Sequence, residues 1–299
     1  MKIVVTGAGG FLGRKIIEQL IPQQKHAVFA VSSQLEKLAS KFNGAENLYY
    51  VSVGEVVSFD FSKVDVVVNC AFPRGADGVA YAKGMTFIAE LLCGIRKSGS
   101  CGLIDISSQS VYGNKRLSSA NENTELNMED KYALGKYAVE LLVDAHCQDI
   151  PHVHLRLASL LGPEFNQRLV NKFVKSVAEK KEITIAGGKQ QFQFMDVRDA
   201  ADAVCTVIEH WDEHFSNDVY NVGAERSNSL IEIAQSVNDV AQQLGLGASA
   251  INMNESDQWR NSIMDSSKFY QKFRWKPKYG LEDTIQNIFE SINDVDSSS

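Results

Sequence analysis

Tyr132 and Lys136 stand four positions apart in the stretch EDKYALGKYAVELL, residues 129–142. The apolar residues around them recur at helical spacing, so phenol and ammonium leave one face about 5–6 Å apart. An ammonium at that range favours the phenolate of a tyrosine, whose ordinary pKa is about 10. The pair is therefore a candidate for moving a proton. Spacing alone does not separate this from a packed tyrosine beside a solvated lysine. Two earlier stretches bear on the choice. TGAGGFLGRK (6–15) spaces Gly7, Gly10 and Gly13 three apart, and SSQSVYG (107–113) offers the hydroxyls of Ser107, Ser108 and Ser110 beside the Gln109 amide.

The glycine stretch directly follows a first apolar run, KIVVTG (2–7), and opens a helical one, FLGRKIIEQLI (11–21). In that context Gly7 permits a tight turn, Gly10 lets backbone approach a pyrophosphate, and Gly13 lets helix pack on strand. Phosphates then face the N–H groups and positive end of the helix. The loop points to a dinucleotide, with Gly7, Gly10, Phe11, Leu12, Gly13 and Arg14 around it. Ala71, at the end of the apolar run VDVVVNCA (64–71), is a further cofactor candidate. NAD binders usually place an acid at the end of the second strand to hold the ribose 2′-hydroxyl. That place holds Ser32 and Ser33 here, with Arg14 and Lys37 as bases for a 2′-phosphate. NADP is the first choice and NAD the second.

These residues need a scaffold, and the chain describes one. Apolar runs at 2–7, 26–32, 47–53, 64–71 and 101–108 alternate with helical stretches at 11–21, 34–42 and 78–97. Continuous Val/Ile runs mark strands covered on both faces, hence a parallel sheet. Strand–helix alternation makes it a doubly wound α/β fold of the Rossmann type. The second half predicts a strand over 152–163, a helix over 169–180, and two strands paired as a hairpin around Gly187 and Gly188 within 182–194. A strand at 218–223 follows, then a helix capped by Ser229 and Glu232. No repeat or Pro/Gly/Ser-rich linker interrupts the chain. Residues 1–163 form the expected dinucleotide-binding domain, rejoined by 192–226. Residues 164–191 and 227–299 form a smaller C-terminal α/β substrate lobe.

Composition narrows the partners. The formal charge of −7 over 299 residues repels nucleic acid and acidic membrane surfaces, and no apolar run suggests a span. The five cysteines lack a CxxC or Cys/His cluster, which suits reduced thiols in a cytoplasmic protein. His152 and His154 alternate on one strand and read as structural, with no third ligand spaced beside them for a metal.

TGAGGFLG, then SSQSVYG, then YALGK, in this order, resembles the extended short-chain dehydrogenase/reductase superfamily, in its nucleotide-sugar epimerase/dehydratase branch. The likeness runs through VDVVVNCA, LRLASLLGP, FMDVRDAADAV and YNVGAERSNSLIEIA, nearly the whole chain. It implies that Tyr132 is the general acid/base and that Lys136 tunes it and binds the nicotinamide ribose. It implies too that Ser108 polarises the substrate oxygen. Family dehydratases follow that hydroxyl with acids. Gln109 and Ser110 stand there instead, which argues against sugar dehydration.

The substrate half departs from the pattern in three places. Phe192 occupies the place of a diphosphate-gripping arginine, Glu255 and a displaced Arg260 stand near that of a second, and Ser159 replaces an asparagine. Arg168, Lys172 or Arg260 could substitute, or the substrate lacks a diphosphate. Arg74, beyond the fourth strand, and Gln109 complete the substrate candidates. The resemblance implies an NADP(H)-dependent enzyme interconverting a ketone and a secondary alcohol on a sugar or nucleotide sugar. The alternatives are an NAD-retaining epimerase and a non-catalytic NADP-binding regulator. It also implies a homodimer built on the helix carrying Tyr132 and the one before it.

Overall fold

The computed structural model describes residues 1–73, 77–99, 101–211 and 217–296. In chain order the first elements are β1 (Lys2–Thr6), α1 (Phe11–Leu20), β2 (Ala27–Ser32), α2 (Leu35–Lys41), β3 (Leu48–Ser52) and β4 (Val66–Asn69). Then come α3 (Gly78–Ser98), β5 (Gly102–Ser108), α4 (Lys131–His146), β6 (His152–Leu157), β7 (Ser159–Leu161) and α5 (Leu169–Ala178). They are followed by β8 (Ile183–Ala186), β9 (Gln191–Phe192), β10 (Phe194–Asp196), α6 (Val197–Glu209) and β11 (Asp218–Val222). The last are β12 (Asn228–Ser229), α7 (Leu230–Gln243), β13 (Ile251–Asn254), α8 (Ser267–Phe273) and α9 (Leu281–Asp296).

Seven strands form one sheet in the order β3-β2-β1-β4-β5-β6-β11. Every pair from β3 to β6 is parallel. The order reverses direction beside β1, the place where open α/β sheets bind ligands past their carboxyl ends. All four residues of β4, Val66 to Asn69, are buried, because helices cover both faces. Val4, Val67 and Leu103 of the sheet pack with Ile88, Leu91, Leu92 and Ile95 of α3 and Val139 and Val143 of α4.

The chain divides into two compact units. One comprises Met1–Val111, Leu126–Leu157 and Ala201–Tyr220; the other comprises Tyr112–Glu125, Ala158–Ala200 and the residues from Asn221 onward. The segment rejoining the first unit is thus shorter than 192–226. Hydrogen bonding explains why. β10 pairs with β7 rather than with the large sheet. Asp199 accepts the N–H groups of Lys278 and Tyr279 at 2.9 Å each, which ties the start of α6 to the second unit. That unit has its own core, in which Phe173, Val174 and Val177 of α5 meet Ile233 and Val237 of α7 and Ile285 and Phe289 of α9.

The expected hairpin around Gly187 and Gly188 does not form. β8 pairs in parallel with β13, Ile183 opposite Ile251, whereas β9 pairs antiparallel with β12. The turn itself is real, with Gly187 at φ 82° and the Gly188 N–H donating to the Gln190 side chain at 2.8 Å. The strands flanking it diverge because each finds a distant partner.

Against the expectation from apolar runs, α3 is long and apolar enough to cross a membrane, with a mean hydropathy of 1.3 over its best window. Its buried residues Ile88, Leu91, Leu92 and Ile95 belong to the sheet core described above. All five cysteines are free, and burial pushes Cys101 and Cys205 up to about 12 and Cys147 up to about 11. Buried, protonated thiols of this kind are inert.

Candidate active site

The glycine loop is built by close approach. Gly7 sits at φ 62°, and a Cβ there would lie 2.9 Å from the Ala71 nitrogen. The Gly10 N–H donates to the Gly7 carbonyl at 2.8 Å, and a Cβ on Gly13 would overlap that same oxygen. Gly10 caps α1 in extended conformation without a side-chain acceptor, and no acid lies in the first turn. The first N–H groups of the helix therefore keep their capacity for an anion. A cleft of about 670 Å³ opens above the loop, bordered by Gly7, Gly10, Ser32, Ser33, Ala71 and Phe72. Gly13→Ala is expected to cost about 1–3 kcal/mol through overpacking and to weaken dinucleotide binding together with stability. Urea denaturation and a dinucleotide fluorescence titration would measure both.

Phe11 is half-buried at the start of α1, while Leu12 and Gly13 are buried. At the end of β2, Ser32 is buried and its hydroxyl accepts the Gln34 N–H at 3.0 Å. Ser33 is exposed, and with Lys37 it borders a neighbouring cavity of about 680 Å³ that Glu36 also lines. Arg14 lies elsewhere than expected. It is buried along α1, with Nε 3.7 Å from Glu18 Oε1, and is not among the residues bordering either cavity. Lys37 is the base that lines the cavity beside Ser33.

α4 begins where Asp130 accepts the Ala133 N–H at 2.8 Å. From there one stripe at four-residue spacing carries Tyr132, Lys136, Glu140 and Asp144. The half-buried Tyr132 ring meets the Phe72 ring edge-on, centroids 5.4 Å apart. Lys136 is 4% exposed. Its Nζ lies 4.5 Å from the centre of the same Phe72 ring and donates to the Ile106 carbonyl at 2.5 Å. Phe72 borders the glycine-loop cleft, so phenol and ammonium share an aromatic neighbour that faces the dinucleotide site.

The serines at the end of β5 separate by partner. Ser107 is buried and donates to Glu140, whose carboxylate is held by Arg156 at 2.6 and 3.0 Å. Ser108 is half-buried, and its hydroxyl accepts from the Ser110 hydroxyl at 2.9 Å. Gln109 is buried. Ser107 is thus committed to the helix behind it, and Ser108 is the hydroxyl left at the strand's carboxyl end.

Thr6, Asn69 and Asp105, which were not singled out from the sequence, join His154 in a row behind the site. Thr6, Asn69, Asp105 and His154 are register neighbours on β1, β4, β5 and β6. Thr6 donates to Asn69 at 2.8 Å, Asn69 to Asp105 at 3.0 Å, and His154 Nδ1 meets Asp105 at 3.1 Å. The Thr6 hydroxyl also accepts the Ala71 N–H at 3.2 Å, which links the row to the glycine loop. Beyond His154 the row reaches α4. Asp144 Oδ1 lies 3.0 Å from His152 Nε2 and 3.2 Å from His154 Nε2. The third ligand that seemed missing beside the two histidines therefore comes from the helix packed on the strand. Burial pulls the His154 imidazole down, but the bonds to Asp105 and Asp144 outweigh it and push it up to about 10. The His154 bond holds the Asp144 carboxyl down to about 2, against partial burial. The clue was the strict alternation HVHLRL on β6, all of it buried: a polar face under a helix needs charged partners.

The remaining substrate candidates lie in the second unit. Ser159 of β7 is opposite Phe194 of β10. Phe192 stacks face to face on Phe194, centroids 5.6 Å apart and planes within 1°. Its neighbour Gln191 donates to the backbone carbonyl of Arg260 at 2.8 Å, and the Arg260 side chain is exposed. Arg168 precedes α5, with its guanidinium 4.7 Å from the centre of the Phe165 ring. Ser159 and Phe192 thus share Phe194 as a neighbour, and Arg260 meets the strand of Phe192 through its backbone. Arg74 lies outside the described residues.

A sequence profile described as the NAD dependent epimerase/dehydratase family matches residues 3–223. The chain belongs to this family. It is an enzyme of the extended short-chain dehydrogenase/reductase type. It is 25% identical over 311 residues to an uncharacterized UDP-glucose epimerase, YtcB, of Bacillus subtilis, covering 96% of each chain. The UDP-glucuronic acid 4-epimerase of Bacillus cereus, solved with NAD, superposes with a TM-score of 0.85 at 21% identity, covering 99% of each chain. The dTDP-glucose 4,6-dehydratase of Bacillus anthracis, also solved with NAD, gives 0.84 at 20% identity over 99% of this chain and 98% of its own. At these identities the solved structures speak for the fold.

Proposed function

We propose that this enzyme interconverts a ketone and a secondary alcohol on a sugar or nucleotide sugar. The observation that carries the reading is Phe72, which borders the glycine-loop cleft and touches both Tyr132 and Lys136. The cleft suits a dinucleotide because the space that Cβ atoms on Gly7 and Gly13 would fill is backbone, and the α1 N–H groups face it. A bound nicotinamide dinucleotide supplies hydride transfer to and from carbon. The protein's own groups handle the oxygen. Ser108 binds the substrate oxygen, Tyr132 gives or takes its proton, and the buried Lys136 ammonium stabilises negative charge on the phenol oxygen. Gln109 and Ser110 bring no carboxyl for dehydration.

Ser32, Ser33 and Lys37 support NADP as the dinucleotide, since hydroxyls and a base meet a 2′-phosphate without an acid at the end of β2. NADPH is expected to bind at least about tenfold more tightly than NADH, the value of one charge-assisted contact. A fluorescence titration with each would test this.

A second reading, an epimerase that keeps its dinucleotide, is favoured by the epimerase names among the relatives. Incubation with UDP-sugars separates the two. A reductase shows a lasting loss of dinucleotide absorbance, whereas an epimerase gives an isomer with none. No conversion of any sugar, with Tyr132→Phe leaving the cellular role intact, would favour the regulatory alternative.

We also propose a homodimer through α3 and α4. Val79, Leu134 and Leu141 are exposed at 68, 57 and 51% on these two helices. Leu141→Glu is expected to halve the mass seen by light scattering.

A further inference from the structure

We propose that Asp144, His152 and His154 bind one divalent transition-metal cation of the zinc class, at a site separate from the catalytic one. Their ligand atoms all lie within 4.8 Å of one another. His152 and His154 are 1% and 2% exposed, while Asp144 opens the cluster to solvent at 57%.

Hydrogen-bond roles make the case. His152 Nδ1 lies 2.9 Å from the Ile150 carbonyl, which only accepts, so that nitrogen carries a proton. Its Nε2, 3.0 Å from the Asp144 carboxylate, then offers a lone pair to another lone pair. His154 faces acceptors from both of its nitrogens. Nδ1 faces the Asp105 carboxylate at 3.1 Å and Nε2 faces Asp144 at 3.2 Å. Two neutral imidazoles bring two N–H groups to four contacts with three acceptor oxygens, those of Ile150, Asp105 and Asp144. Either two additional protons complete these contacts, or one divalent cation takes their place between both Nε2 atoms and Asp144. The charge is the same, since two carboxylates, Asp105 and Asp144, balance either arrangement.

The cation explains more of the geometry. Tetrahedral zinc with bonds of about 2.0–2.1 Å holds its ligand atoms roughly 3.3 Å apart, close to the 3.0 and 3.2 Å between Asp144 Oδ1 and the two Nε2 atoms. Each imidazole would then donate its other N–H outward, His154 to a carboxylate and His152 to a carbonyl. That is the supporting shell that metal-binding histidines usually have. Two nitrogens and one carboxylate select zinc, cobalt or nickel over magnesium or calcium. A water from the open side completes the set. Asp144 is three turns along α4 from Tyr132, about 18 Å, and the histidines lie toward the start of β6. Bound there, the ion pins the end of α4 to the start of β6, away from Tyr132.

The test uses the whole chain, stripped with a chelator and returned to zinc chloride at neutral pH. One zinc per chain should bind in competition with a chromophoric chelator. Tm should rise by about 5 °C or more, while magnesium chloride at equal concentration leaves it unchanged. Asp144→Asn should weaken zinc binding at least about tenfold, the usual effect of losing a ligand or its support. Cobalt(II) in the unaltered protein should give visible ligand-field bands without a thiolate charge-transfer band, a readout that does not depend on the variant's folding. The proposal is overturned if zinc neither binds nor raises Tm, if Asp144→Asn keeps full affinity, or if the cobalt spectrum shows thiolate ligation. In the first case the cluster is held by protons alone.

Discussion

Tyr132→Phe is expected to lower kcat by about 10²–10⁴-fold, the usual contribution of a positioned acid or base, while dinucleotide affinity stays within a few-fold. The substitution removes one oxygen and keeps the ring, so the edge-on contact with Phe72 survives. Fold and cleft should then be unchanged, and steady-state kinetics beside a dinucleotide titration would separate chemistry from binding. Lys136→Met should behave differently. It removes a buried ammonium that donates to Ile106 and lies over Phe72, so dinucleotide affinity should fall together with kcat. A Tyr132→Phe variant retaining more than about a tenth of wild-type kcat would show that some other group moves the proton.

What could be read from the chain and what could not differ in physical kind. The glycine loop was legible because its requirement is local: Gly7 at positive φ and Gly13 against a carbonyl admit no side chain, whatever the rest of the fold does. The buried strands were legible for a similar reason, as Val66–Val68 have no polar face to offer water. Tyr132 and Lys136 stood out as a pair, whereas Glu140 and Asp144, which continue the same stripe, belong to no motif. Their roles depend on His152, His154 and Arg156 from a strand whose register with β5 is a long-range fact. The mistaken hairpin has the same origin. A glycine turn between two apolar runs predicts antiparallel pairing, yet Ile183 pairs with Ile251 because the second unit's core needs both. The direction of Arg14 was not legible either: α1 turns it toward Glu18, and helix rotation depends on which residues the sheet buries.

The largest stability effect is expected at Glu140. Its carboxylate and the Arg156 guanidinium are 3% and 6% exposed, joined by two hydrogen bonds, with Ser107 donating to the same group. Glu140→Ala removes the buried carboxylate that the Arg156 guanidinium and the Ser107 hydroxyl share. Removing one partner of such a pair costs about 3–5 kcal/mol, a large share of the roughly 5–15 kcal/mol that holds most proteins folded. The pair itself is a different quantity, because burying both charges was already costly. Replacing both residues at once, Glu140→Leu with Arg156→Met, removes the two desolvated charges together and should recover most of the loss. Urea unfolding of the two single variants and the double would give the coupling directly. A loss below about 1 kcal/mol in Glu140→Ala would mean that water enters behind α4 and solvates Arg156, and the helix stripe would then be a wetter seam than its burial implies.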